Sequence, residues 1–394
     1  MCRYRETDAY RRAVVVAMQR IPFFRPLTDS PAVRKELLAD FEALLIHGGY
    51  VRGPEVTCFE KQLSSRMGGG AVTVSVGNGT DALLAAFMAL GLKRGDEVIV
   101  PSFTYPAATE MLLLLGITPV LVDVCEDTFN LDPGLLPDAL SEKTRAIVPV
   151  HLFGLCAEME PILAFARKHD LFVVEDAAQS LGAVYAFSDG TRQQAALMGD
   201  VGCTSFFPTK NLGGLGDGGA VFARDAGLAA KVRSLVNHGQ GGRRHEHERT
   251  GFNSRLDTVQ AIALLRFLPD LEKHLAYRRT LAGRYECGLC DCDGLVLPEM
   301  APGHTFNQYA VRVLDNRRDE LGACLAENGI DTMVYYPLGN HQQKAYASRI
   351  RKGSAMPCTE NLTRSLISLP IFPGLAEREQ DRIIRTIRKF FSGK

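Results

Sequence analysis

The densest chemical signal lies in residues 205–220, SFFPTKNLGGLGDGGA, where Lys210 follows an apolar, strand-like run and precedes a glycine-rich turn. That order places an ammonium at the end of a strand, beside backbone that can approach a ligand closely. A lysine held there and partly stripped of water is a candidate to form a Schiff base with a carbonyl. An ordinary surface lysine is the plain alternative. Gly214, Gly216 and Gly219 formally match G-x-G-x-x-G. The dinucleotide fingerprint needs a helix to follow, whereas residues 220–223 read as a β-type run, so that match is set aside.

Three further segments carry candidate groups. In EDAAQS, residues 175–180, Asp176 comes directly after the apolar run 171–174. A carboxylate at such a strand end can hold a cationic partner, as the pyridinium nitrogen of pyridoxal phosphate requires, and Gln179 could reach the same ligand. A helix cap is the competing role for this Asp. In GNGTDAL, residues 77–83, Gly79 and Thr80 stand between a strand and a helix, where N–H groups and a hydroxyl form a phosphate cradle. In PSFTYPA, residues 101–107, Tyr105 also follows a strand and could stack on a planar group or simply pack.

The elements that position these groups follow from hydrophobic patterning. Short aliphatic runs at 71–76, 97–100, 119–124, 146–150 and 171–175 alternate with helical stretches at 81–90, 107–115, 133–140 and 158–169. Such alternation predicts an α/β fold: a large, mostly parallel sheet with helices on both faces and ligands beyond the carboxyl ends of the strands. A packing helix is expected at 31–46, with Val33, Leu37, Leu38, Phe41, Leu44 and Leu45 at helical spacing, and a long helical stretch at 256–287. Strand-like 305–313 and 331–335 and a terminal helix near 376–391 read as a smaller C-terminal α/β domain. The expected division is 1–20 as a loose tail, 21–260 as the large domain and 261–394 as the small one.

Composition narrows the class. Of 394 residues 46% are apolar, and 45 basic side chains balance 45 acidic ones, which disfavours disorder and a general nucleic-acid binder. Ten scattered cysteines without a secretory signal, and no apolar run long enough to span a bilayer, predict a reduced, cytoplasmic protein with no membrane partner. Cys287, Cys290 and Cys292 with His245 and His247 lack a convincing fourth ligand, so no metal is expected.

Lysine, carboxylate, phosphate cradle and aromatic plane together are what a pyridoxal phosphate site requires. The chain resembles the DegT/DnrJ/StrS family of nucleotide-sugar aminotransferases, fold type I pyridoxal phosphate enzymes, from about residue 23 onward. The resemblance is carried by GGYVRGPEVTCFE (48–60), NGTDAL, PSFTYPA, EDAAQSLGA, the Lys210 segment and GFNSRLDTVQA (251–261). It implies that Lys210 binds pyridoxal 5'-phosphate as a Schiff base and that Asp176 pairs with the ring nitrogen. It also implies that Gln179 contacts the ring hydroxyl, that Tyr105 covers the ring, and that Gly79, Thr80 and Ser205 bind the phosphate. Asn253 would reach that phosphate from a neighbouring subunit, making a homodimer with shared sites, and Arg255 would likewise enter the partner's site, where it could bind a substrate carboxylate by a bidentate pair, or would instead make an interdomain ion pair.

By the same resemblance the amino donor is L-glutamate and the acceptor a nucleotide-linked keto-sugar. The combination NGTDAL, EDAAQS, CTSFFPTK and NSRLD looks most like the branch acting on UDP-linked 3-keto-N-acetylglucosamine or its uronic acid. A 4-aminotransferase of UDP- or dTDP-4-keto-6-deoxy sugars and a catalytically silent, cofactor-binding regulatory relative are the competing readings. Tyr335 stands where relatives often have histidine, which marks it as a candidate sugar contact. Arg243 and Arg244, in the loop 238–249, could bind a diphosphate by charge or simply be solvated.

Overall fold

The computed structural model describes residues 20–243 and 245–393. The expected N-terminal tail lies outside the described residues apart from Arg20, which pairs with Asp331 at 2.6 Å. Arg244 also lies outside them.

The five aliphatic runs form β1 (Val72–Val76), β2 (Glu97–Pro101), β3 (Thr118–Val122), β4 (Thr144–Ile147) and β5 (Phe172–Asp176). A small hairpin follows, β6 (Val184–Ala186) with β7 (Arg192–Gln194), and then β8 (Val201–Ser205) and β9 (Gly219–Ala223). Farther on come β10 (Leu295–Val296), β11 (Tyr309–Val313), β12 (Arg351–Lys352) and β13 (Leu366–Leu369). The large sheet has the order β1-β9-β8-β5-β4-β2-β3-β12. Only β9 runs against its neighbours, and the remaining pairings are parallel. Because Gly219 opens a strand and not a helix, the glycine run after Lys210 is no dinucleotide fingerprint.

Strand alternation divides the core into two layers. Val98 and Val100 face one layer, with Leu83 and Phe87 of helix Gly79–Leu90, while Ile99 faces the other, with Val120, Val122 and Ile147. β10, β11 and β13 make a separate antiparallel sheet packed on helices Leu271–Leu289 and Glu377–Ser392. A bridging cluster that includes Phe103, Val150, Phe153, Tyr336 and Leu366 lies where the two parts meet.

Packing continues across the division expected at residues 260 and 261. Leu264, Leu268 and Leu275 join the large core, Ile21 joins the small one, and β12 pairs with β3 in the large sheet. Pro269 splits the expected helix 256–287 into Thr258–Phe267 and Leu271–Leu289, with a 3-10 turn between them. The expected strand 331–335 reduces to one bridge, Met333 with Ser368. The stretch 133–140 forms a 3-10 turn and a single helical turn, Leu136–Ala139. Helix Pro31–His47 buries only Leu37 and Leu44, whereas Leu38 and Leu45 are each 68% exposed, because its apolar residues span more than the one face it packs.

Candidate active site

The carboxyl ends of β1, β2, β5 and β8 converge on one cavity of about 330 Å³. Its wall includes Gly79, Thr80, Tyr105, Asp176, Gln179, Ser205, Lys210 and Tyr335, eight residues singled out from the sequence. Parallel strands point their carboxyl ends the same way, so groups far apart in the chain share one edge of the sheet.

Lys210 is the best-defined group. Its backbone N–H donates to Phe207 O at 2.8 Å, closing a tight turn just beyond β8. Surrounding protein strips water from its ammonium and lowers its pKa to about 8, against the opposing pull of the Asp176 charge. A lysine so placed gives up its proton far more readily than a solvated one and can act as nucleophile and base.

Asp176 ends β5, and its Oδ1 accepts the Ala178 N–H at 3.0 Å. Burial raises its pKa, while the Ala178 N–H, Lys210 and His151 act in the opposite direction. A cationic partner in the cavity would add to those three and hold the carboxylate ionised.

Beneath Asp176, on the opposite side of the strand, Glu175 is fully buried. Its carboxylate accepts from His151 Nε2 at 2.8 Å and from the N–H groups of Ala196, Met198 and Gly199 at 2.8, 2.6 and 2.6 Å. Ala157 N–H donates to His151 Nδ1 at 3.0 Å, so the ring proton sits on Nε2, facing Glu175. This braced pair fixes the strand end that carries Asp176. Sequence reasoning did not assign Glu175 a role, although strand alternation contains the signal: if Asp176 faces a ligand, Glu175 must face the core and needs donors there.

The phosphate cradle is set by helix Gly79–Leu90. Asn78 caps it by accepting the Asp81 N–H at 2.8 Å, which leaves the N–H groups of Gly79 and Thr80 for a ligand. A Cβ at Gly79 would lie 2.8 Å from Ser205 Cβ, so only glycine brings this turn so close to the end of β8. Gln179 Oε1 accepts from Phe153 N–H at 2.7 Å and its Nε2 donates to Tyr336 Oη at 3.0 Å. That fixes the orientation of the amide and leaves one Nε2 hydrogen without a partner among the described residues. Tyr105, 60% exposed, stands at the mouth with Phe207, 48% exposed. Tyr336, Thr104, Phe207, Thr209 and Asp217 also line the wall without having been given a role from sequence.

Three candidates lie elsewhere. Asn253 is exposed and bridges Asn237, outside this cavity. Arg255 borders a separate groove with Arg52, Glu60 and Arg233, and its Nη1 approaches Asn237 Oδ1 at 3.4 Å. Arg243 extends into solvent with Glu246 at 3.6 Å, and Arg244 falls outside the described residues. No three or more His, Cys, Asp or Glu side chains among the described residues are grouped as metal ligands.

Residues 31–388 match the DegT/DnrJ/EryC1/StrS aminotransferase family. The chain belongs to that family. It is 42% identical over 356 residues to the UDP-2-acetamido-2-deoxy-3-oxo-D-glucuronate aminotransferase of Pseudomonas aeruginosa, covering 90% of this chain and 96% of that one. It is 40% identical over 374 residues to the UDP-N-acetyl-3-dehydro-alpha-D-glucosamine 3-aminotransferase of Acidithiobacillus ferrooxidans, covering 93% and 98%. Among solved structures, ntda from Bacillus subtilis with bound cofactor PMP has a TM-score of 0.87 at 29% identity, covering 95% of this chain and 86% of that one.

This member of the family is a pyridoxal phosphate-dependent aminotransferase. The cavity fits the cofactor: a helix N-terminus with free N–H groups and two hydroxyls for a phosphate, a buried carboxylate for a ring nitrogen, and a desolvated lysine for a carbonyl. No helix among the described residues is long and apolar enough to cross a membrane.

Proposed function

We propose that this aminotransferase moves the amino group of L-glutamate to carbon 3 of a UDP-linked 3-keto sugar, of the N-acetylglucosamine type or its uronic acid, in the cytoplasm. The observation carrying this reading is the identity of 40% and 42%, over nine-tenths or more of the chain, to two relatives named for UDP-3-oxo sugars.

When bound, pyridoxal phosphate serves as the electron sink that makes the donor's α-proton acidic. The remaining work falls to the chain. The N–H groups of Gly79 and Thr80, with the Thr80 and Ser205 hydroxyls, would anchor the phosphate, and Gln179 would orient the ring through its remaining amide hydrogen. Asp176 would hold a proton on the ring nitrogen, and the Lys210 amine would take the donor's α-proton as general base and give it up again as general acid. Tyr105 and Tyr335 border the space left for the sugar.

The test is a half-reaction series. Protein loaded with pyridoxal phosphate is converted by L-glutamate to the amine form, then offered 3-keto and 4-keto sugars linked to UDP or dTDP. Only the UDP-linked 3-keto sugar is expected to restore the starting spectrum, and NMR should place the new amine on carbon 3. Restoration by a 4-keto sugar alone would replace the reading with its 4-amino counterpart.

We also propose that the active unit is a homodimer with shared sites. Asn253 and Arg255 lie outside their own chain's cavity, and the mouth at Tyr105 and Phe207 is open enough to be covered. Asn253→Ala is then expected to weaken cofactor retention without removing Lys210 chemistry. Mixed with Lys210→Ala protein under verified subunit exchange, it should regain activity, because a heterodimer holds one intact site; no gain would rule out sharing.

A further inference from the structure

The backbone on both sides of Lys210 is gripped by buried asparagine amides tied to the segment that enters β11. Asn307 Nδ2 donates to Thr209 O at 3.1 Å. Asn211 Nδ2 donates to Leu181 O at 3.1 Å and to Thr305 Oγ1 at 3.0 Å. Thr305 is tied in turn to Gly154 O, through its hydroxyl at 3.2 Å and its N–H at 3.0 Å. Gly154 has a φ of 103°, and a Cβ there would lie 3.0 Å from the N atoms of Phe306 and Asn307, so glycine alone lets the two segments approach. Phe153, next in the chain, supplies the N–H that orients Gln179. One short segment thus reaches both the lysine side and the Gln179 side of the cavity.

Asn307 is 4% exposed and Asn211 8%, yet the Oδ1 atom of each is buried without a partner among the described residues. Idle buried acceptors oppose folding, so stability gives little reason for these side chains beyond what their N–H groups hold. A catalytic lysine must place its nitrogen to within a fraction of an ångström of the proton it moves, and a misplacement of 1 Å can cost about 100-fold in rate.

We propose that Asn307 is a positioning residue for Lys210, fixing the Thr209 carbonyl so that the lysine amine is aimed at the donor's α-proton. This rests on Lys210 as the proton-transfer group.

The test compares Asn307→Ala and Asn307→Ser with the wild type and with Lys210→Ala, all loaded with pyridoxal phosphate. Single-turnover absorbance is followed with ordinary and α-deuterated L-glutamate. Each Asn307 variant is expected to bind cofactor with the wild-type visible band and similar donor affinity. Its half-reaction should slow by between about 10-fold and 100-fold, with a larger deuterium isotope effect, because proton transfer alone is impaired. An unchanged rate and isotope effect in a folded, loaded variant would overturn the proposal. So would failure of both variants to fold, which would make Asn307 a folding element. A Lys210→Ala protein with normal turnover would instead refute the assignment of Lys210, a separate outcome.

Discussion

Lys210→Ala protein is expected to fold, to bind pyridoxal phosphate without the visible band of a lysine-linked cofactor, and to lose at least about 10,000-fold in the rate of amino transfer. The fold should survive because burial opposes the charged form of this side chain, so alanine removes a desolvation cost along with the amine. Gly79 and Thr80 open the helix after β1, Ser205 ends β8 ahead of the lysine turn and Asp176 ends β5, so none of them depends on the Lys210 side chain and non-covalent cofactor binding is preserved. Chemistry fails because no other amine among the described residues lines the cavity. Absorbance spectra before and after L-glutamate, with stoichiometry from mass spectrometry of the native protein, read both effects. Wild-type turnover by the variant would sink the assignment.

Asp176→Asn is expected to keep the cofactor linked to Lys210 while slowing the half-reaction by about 100-fold to 1,000-fold, the range seen when one preorganised electrostatic group is removed. Asparagine has the same shape and can still accept the Ala178 N–H, so the strand end keeps its geometry. The negative charge is what is lost, and with it the means of holding a proton on the ring nitrogen. The desolvation that raises the Asp176 pKa means that the carboxylate needs a cation as much as the cation needs it. Stopped-flow spectra with L-glutamate measure the rate, and a fall of less than about tenfold would show that the charge is dispensable.

Most of this site was legible in the sequence because a parallel sheet imposes a simple rule. Each short aliphatic run ends at the same edge, so the residues just after the runs, Gly79 and Thr80, Tyr105, Asp176 and the Lys210 turn, could be expected together before any contact was known. The dinucleotide alternative at Gly214, Gly216 and Gly219 was separable for the same reason, since β-type residues follow where a helix would be needed. The gaps were of two kinds. Residues 331–335 have strand-like composition but gain only one bridge, at Met333, because pairing depends on a neighbour that sequence pattern does not supply. Helix Pro31–His47 forms as the packing helix expected, but which of its apolar residues are covered was not legible: Leu38 and Leu45 remain exposed, because the surface available to cover them is a tertiary property.

Local chemistry determined by itself the lysine, the carboxylate, the helix-end cradle and the class of fold, since strand period, glycine turns and caps act over a few residues. Tertiary structure alone decided what surrounds them. Glu175 and His151, 24 positions apart, meet under Asp176 at 2.8 Å. Asn307, far along the chain, holds the carbonyl before Lys210 at 3.1 Å. The lysine's lowered pKa likewise comes from burial by elements distant in sequence. Desolvation and buried hydrogen bonds are set by which segments pack together in space, and no window of neighbouring residues contains that information.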